Sequence, residues 1–250
     1  MRKLSRTSLK LIALLSMLLD HIGAVIVYPL YLSACVVDGV QMMGASIPTE
    51  AKRLYYLYMA LRIVGRLAFP IFAFFIVEGF THTHDRKKYF FRLSAFAILS
   101  EIPFDLANTG TPFAPNYQNV LWTFTIAVIM LSLLERFALT QKNQVTKAVL
   151  CVVIVIAAAL CALFSDGGIG GILLIAFMYL FRKDRALYWI GCLAAIGCIA
   201  RQFMWVEWFA VIGLLLLQLY DGKKDARLKY LFYIFYPAHL LALWALTLSF

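Results

Sequence analysis

Nine apolar stretches follow one another along this chain, separated by short segments that hold most of its charge. Their limits fall near 9–32, 54–80, 89–107, 119–139, 147–165, 168–182, 186–203, 205–220 and 230–249. Crossing the roughly 30 Å of bilayer hydrocarbon takes about 20 apolar residues in a helix, which satisfies every backbone group within its own segment. Repeated nine times, that length leaves little chain for anything else. No soluble core hides so much apolar surface either: 63% of the 250 residues are hydrophobic and 14% charged, where soluble domains average about half and a quarter. The expected fold is all-α: one polytopic membrane bundle over residues 1–250, with about nine transmembrane helices.

Charge placement sets the expected orientation. With the N-terminus in the cytoplasm, eighteen of the 23 basic residues fall on inner segments, as the inward bias of Lys and Arg in membrane proteins requires. They are Arg2, Lys3, Arg6 and Lys10; Arg86, Lys87, Lys88 and Arg92; Arg136, Lys142 and Lys147; Arg182, Lys183 and Arg185; and Lys223, Lys224, Arg227 and Lys229. Lys52, Arg53, Arg62, Arg66 and Arg201 lie near the outer face or within spans. Nine spans then leave the C-terminus outside, in a multi-pass protein of the cell (plasma) membrane. The net charge of +10 reflects this topology and not nucleic-acid binding, because the basic residues form no amphipathic stripe. Asp20 and His21 interrupt the first stretch, which therefore reads as an uncleaved span and not as a signal peptide. The five cysteines form no CxxC pair, which argues against a thiolate metal site or a disulfide framework.

An ionisable group at mid-membrane costs several kcal/mol unless paired or wetted, so each one in a span is a candidate functional residue. Counting depth places Asp20 and His21 near the middle of span one and Arg66 near the middle of span two, with Arg62 one turn outward. Glu101 falls in the outer half of span three, and His239 near the middle of span nine. These four spans are expected to converge on one pocket. Arg62 and Arg66, four apart, share a helix face. Asp20 and His21, being adjacent, point about 100° apart and should meet different neighbours. His21 is the candidate for proton transfer, since imidazole titrates near neutrality. Arg62, Arg66, Glu101 and Asp105 read first as a structural ion-pair network that lets a pocket exist. Two imidazoles without ligand spacing are a weak metal signal, and no metal is expected. Arg86, Lys87, Lys88 and Arg92 serve topology, with a second use in holding the phosphates of an anionic cytoplasmic donor. The Gly-rich run Asp166–Gly171 is a tight reversal followed by close helix packing. Pro70, Pro103 and Pro237 should kink spans two, three and nine near the pocket.

At these residues the chain resembles the TraX family, membrane acetylases named for the protein that N-acetylates conjugative pilin. The resemblance rests on Leu19-Asp20-His21, Gly65-Arg66-Leu67-Ala68-Phe69-Pro70-Ile71-Phe72-Ala73, Asn119-Val120-Leu121, the Asp166–Gly171 turn and Phe235-Tyr236-Pro237-Ala238-His239-Leu240, in the family's order and nearly end to end. That family is similar in turn to the wider transmembrane acyltransferases, with a first-helix His and an acyl-CoA donor. The resemblance implies His21 as general base or acyl carrier, Asp20 and Arg66 as its supports, and His239 and Asn119 as further pocket residues. It implies acetyl-CoA as co-substrate near Arg86, Lys87, Lys88 and Arg92, and an unidentified acceptor: a peptide N-terminus, a glycan or a lipid. Arg66 is the expected oxyanion donor. Glu101-Ile102-Pro103-Phe104-Asp105 departs from the pilin enzyme, so the acceptor is expected to differ. A proton-coupled transporter using the same buried charges is the competing reading.

Overall fold

A computed structural model describes residues 3–202, 205–222 and 229–249. Arg2, Lys223, Lys224 and Arg227, counted above among the inner charges, lie outside the described residues. The first apolar stretch is one helical rod, Arg6–Ala34, in three parts: α1 (Arg6–His21), a π-helical turn (Ile22–Val27) and α2 (Tyr28–Ala34). The Ser5 hydroxyl starts α1 by accepting the Ser8 N–H at 3.2 Å, a role short polar side chains fill at helix N-termini. After α2, strands β1 (Val36–Val37) and β2 (Val40–Gln41) pair antiparallel around Asp38 and Gly39. Both turn residues have positive φ, as two-residue hairpins demand.

The second stretch folds as two helices in line, α3 (Thr49–Gly65) and α4 (Ala68–His82), broken at Arg66 and Leu67. Pro70 is the cause: it has no N–H for the Arg66 carbonyl, and its ring crowds that turn. Helix α5 (Arg86–Thr109) runs through Pro103 and stops at Gly110, whose φ of 72° closes the helix in the left-handed region. Then come α6 (Val120–Leu133), which ends in a π turn over Leu134–Ala138, α7 (Gln144–Cys161), α8 (Gly168–Leu180) and α9 (Arg185–Gln202). A 3-10 turn (Trp205–Phe209) leads into α10 (Ala210–Leu217), and α11 (Lys229–Thr247) contains Pro237.

Each of the nine apolar stretches is therefore helical, and the fold is all-helical apart from the small hairpin. Among the described residues four helices are long and apolar enough to cross a membrane: Arg6–Ala34, Thr49–His82, Val120–Ala138 and Gln144–Cys161. This is a helical membrane protein. Gly168–Leu180, Trp205–Leu217 and Tyr233–Thr247 are shorter apolar helices, and α5 has the length but carries Glu101, Asp105 and four basic residues.

The packing sorts these helices into centre and rim. Ile71 and Phe80 of α4, Ala127 and Leu131 of α6, and Ile172 and Leu174 of α8 are all fully buried. Helix α7 is the opposite case, with Val149, Val152, Val153 and Ile156 exposed, an apolar rim suited to lipid. Helix α11 returns to pack on α5, α1 and the π turn after it, which closes the bundle by bringing the last helix onto the first. Short backbone pairings tie the connections. At one end the Leu4 N–H donates to Leu219 O at 2.7 Å and the Asp221 N–H to Leu4 O at 3.0 Å; at the other, the Gln118 N–H donates to Phe164 O at 2.6 Å and the Asp166 N–H to Gln118 O at 2.9 Å.

Candidate functional site

Where α1 meets the break between α3 and α4, Gly65 lets the two backbones approach so closely that an added Cβ would run into the Asp20 carboxyl group. The break also strands carbonyls, and the Ser16 hydroxyl donates to Val64 O at 2.7 Å and to Gly65 O at 3.0 Å. Asp20 then takes Arg62 through Oδ2 at 2.6 Å and Arg66 through Oδ1. All three guanidinium nitrogens of Arg66 are engaged: Nη2 with Asp20, Nη1 with Glu207 at 2.5 Å, and Nε with Arg62 O at 3.1 Å. Two cations and two carboxylates thus form one closed cluster, in which no formal charge is left over.

His21, the next residue after Asp20, faces α11 instead. Its Nδ1 lies 2.9 Å from Met17 O and 3.1 Å from Nε2 of His239, while Nδ1 of His239 lies 2.7 Å from Phe235 O. A carbonyl oxygen only accepts, so each Nδ1 bears the proton. His239 Nε2 is then the acceptor for His21, and the second ring nitrogen of His21 keeps its lone pair. The chain of contacts fixes one tautomer of each ring and leaves His21 Nε2 as a base. The π turn beginning at Ile22 sits immediately after this residue, a local widening that recurs at functional sites.

His21, Asp20, Arg62, Arg66 and Glu207 line a cavity of about 290 Å³. Its wall also holds Tyr117, whose hydroxyl donates to Asp166 at 3.0 Å, and Asp166 itself. A second cavity, of about 350 Å³, carries Arg6, Lys10 and Arg92 among aromatic rings. The Arg92 guanidinium stands over Tyr89 at 5.5 Å and Tyr233 at 5.3 Å, cation–π contacts that hold it without a carboxylate. Arg6 lies 3.6 Å from Glu78. The buried Nε atoms of Arg6 and Arg92 have no hydrogen-bond partner among the described residues. Met17, Phe72, Val120, Phe124 and Tyr236 line both cavities, so the two stand back to back.

The other residues singled out from sequence fall elsewhere. Glu101 is not on the His21 cavity wall; it accepts from Asn119 Nδ2 and from Trp122 Nε1, the latter at 2.9 Å. Asn119 also starts α6, its Oδ1 accepting the Leu121 N–H at 3.0 Å, and its Nδ2 donates to Ala97 O at 2.9 Å. Together they fasten α6 to α5. Asp105 caps the following loop by accepting the Ala114 N–H at 2.8 Å. Of the four basic residues proposed for the donor, Arg92 alone reaches the second cavity. Arg86 pairs with Glu135 and covers Phe80 at 4.4 Å, Lys88 pairs with Asp85 at 3.4 Å on the surface, and Lys87 is exposed. Sequence reasoning passed over Glu207, although it is the lone acid inside Trp205–Leu217, the same signal that marked Asp20. It also read Asp166 only as a turn and Arg6 and Lys10 only as topology. Among the described residues no three His, Cys, Asp or Glu side chains are placed to hold a metal.

Fold and site together define a helical membrane protein in which an ion-paired charge cluster and His21 line one cavity, with His239 behind His21. The TraX protein family model matches residues 5–247, and the chain belongs to that family. It is 33% identical over 261 aligned positions to a probable fimbrial assembly protein FimC, serogroup H1, from Dichelobacter nodosus, covering 94% of this chain and 93% of the relative. No solved structure matches it.

Proposed function

We propose that the protein is a membrane-embedded acyltransferase that moves an acetyl group from acetyl-CoA to an amine or hydroxyl of a membrane or cell-envelope acceptor. The observation that carries this reading is the back-to-back pair of cavities, one presenting the free Nε2 of His21 and the other presenting Arg6, Lys10 and Arg92. The cations suit the phosphates of an acyl-CoA. Nine spans with the N-terminus inside would open this second cavity to the cytoplasm of a cell whose plasma membrane holds the protein. The acceptor would enter from the opposite side, past Tyr117 and Asp166. A relative named as a fimbrial assembly protein fits an acceptor that is itself an envelope peptide.

The mechanism follows from the tautomers. His21 Nε2 takes the acceptor's proton as the acceptor nitrogen or oxygen attacks the thioester carbon. The resulting imidazolium keeps its Nδ1 proton shared between Met17 O and His239 Nε2, so the added charge is spread onto the second ring. Asp20, bound to Arg62 and Arg66, fixes the α1–α3 junction and with it the position of His21. The same lone pair would serve if His21 carried the acyl group between donor and acceptor.

The test is purified protein in detergent with labelled acetyl-CoA and extracts of envelope peptides, lipids and glycans. Protein-dependent acetylated product is expected, and His21→Ala should lower its rate by about 10²–10⁴-fold, the usual contribution of a general base. A proton-coupled transporter, the other reading that buried charges on two joined cavities support, would move solute and give no acetylated product. Full transfer by a folded His21→Ala protein would overturn the assignment.

A further inference from the structure

Acyl transfer from a thioester builds negative charge on the carbonyl oxygen, and a site for it needs a donor aimed at that oxygen. Arg66 does not supply one, since its nitrogens are engaged with Asp20, Glu207 and Arg62 O. Tyr236 is differently placed. It precedes Pro237 in α11, three residues before His239 and so on the same helix face, and the two rings stand 5.8 Å apart. The His21 ring is 6.4 Å away. Tyr236 is only 3% exposed, lines both cavities, and its hydroxyl has no hydrogen-bond partner among the described residues. A buried hydroxyl left without a partner is costly and calls for a reason. Val120, the first residue of α6, lines both cavities with it.

We propose that the Tyr236 hydroxyl is the oxyanion donor of the transfer reaction, a catalytic residue at the junction of the two cavities; this rests on the acyltransferase reading above. The acceptor amine or hydroxyl attacks the thioester carbonyl carbon while its proton passes to His21 Nε2. The carbonyl π pair moves onto oxygen, where the Tyr236 O–H holds it. The pair then returns to carbon as the C–S bond breaks, the sulfur leaves with the bonding electrons and takes the proton from His21, and an amide or ester and a free thiol result. The position of Tyr236 explains why a thioester from one cavity and an acceptor from the other meet here: no other polar side chain is common to both walls among the described residues.

The experiment measures acetyl transfer by wild type and Tyr236→Phe, with KM for acetyl-CoA and thermal unfolding in the same detergent. Removing one oxyanion donor lowers turnover on the order of 10²–10³-fold, and that loss is expected with KM nearly unchanged and unfolding temperature kept or raised. Turnover within threefold of wild type in a folded Tyr236→Phe protein overturns the proposal. If the Phe variant fails to fold, a ring-fluorinated tyrosine at position 236 keeps the shape and makes a stronger hydrogen-bond donor. A turnover that changes with the acidity of that phenol supports the assignment, and one that does not change overturns it. Absence of transfer by wild type would instead remove the acyltransferase reading itself, so the two failures are separate.

Discussion

The two cavities are built on opposite electrostatic plans. Around His21 the cations are held by carboxylates, Arg62 and Arg66 by Asp20 and Glu207, each side chain no more than a fifth exposed, and the Asp166 carboxyl on the same wall is held by Tyr117. The cavity at the other end gathers Arg6, Lys10 and Arg92 among aromatic rings, with Arg6 3.6 Å from Glu78 and Arg92 seated on two tyrosine rings. A closed neutral cluster in a low dielectric has little left to offer a ligand, but it is stiff, and stiffness is what a base needs to hold one geometry. A cavity that gathers three cationic side chains does the reverse, because its positive potential favours an anionic ligand. In the proposed function this difference is the reason for placing reaction in the first cavity and donor binding in the second.

The largest effect should come from opening the closed cluster. Asp20→Ala leaves Arg62 and Arg66 facing each other with Glu207 as the one remaining carboxylate, and breaking a buried pair on one side costs about 3–5 kcal/mol. Loss of most folded protein, read as yield and unfolding temperature in detergent, is the expected result; Asp20→Asn, which keeps an acceptor, should lose less. An Asp20→Ala protein that unfolds at the wild-type temperature would break the picture of a stiff frame.

Next in size is the tautomer lock. His239→Ala removes one of the two acceptors for the His21 Nδ1 proton, leaving Met17 O, loosens the ring, and should cut turnover on the order of 10²-fold, less than the roughly 10⁴-fold seen when a charged orienting partner is replaced in a serine protease triad. His239→Gln can offer an amide oxygen to His21 and an amide N–H to Phe235 O, so it should recover activity to within about tenfold of wild type. A merely structural role for His239 predicts no such rescue, and the comparison of Ala with Gln under steady-state kinetics decides it.

How much of this was legible beforehand depends on which physical signal carries each part. The helices were legible because apolar runs between charges have one solution in lipid, and every run from 9–32 to 230–249 is helical. The divergence of Asp20 and His21 was legible from the 100° step of a helix. What pairs with them was not, because a partner's identity depends on crossing angles that no spacing encodes. Glu207 meets Arg66 from 141 positions further along the chain, and Glu101, at a promising depth, turns away to Asn119 and Trp122. Tyr236 lay within the Phe235–Leu240 stretch that carries the resemblance, yet nothing set it apart there, since a tyrosine in an apolar run ordinarily reads as packing. The break at Arg66 was announced by Pro70, yet its use, to free carbonyls for Ser16 and bring Asp20 against Gly65, appears only in three dimensions.

A smaller effect separates cavity cations from surface ones. Arg92→Ala removes a guanidinium that stands in the second cavity, and KM for acetyl-CoA should rise about tenfold, equivalent to about 1.4 kcal/mol, with turnover changed less than twofold and the salt dependence of KM reduced. Lys87→Ala and Lys88→Ala lie one turn away on the same helix, and for them KM should stay within twofold. The reason is local. Lys88 points to solvent beside Asp85, which starts α5 by accepting the Lys88 N–H at 2.9 Å, and that backbone bond holds the Asp85 carboxyl below the usual carboxylate range. Exposed pairs of this kind contribute little, and charges outside a cavity are screened within about 10 Å at ordinary salt. Equal losses for Arg92→Ala and Lys88→Ala would mean that the donor is gathered by the general positive charge of that membrane face and not by this cavity, and the contrast between the two plans would then hold for folding but not for binding.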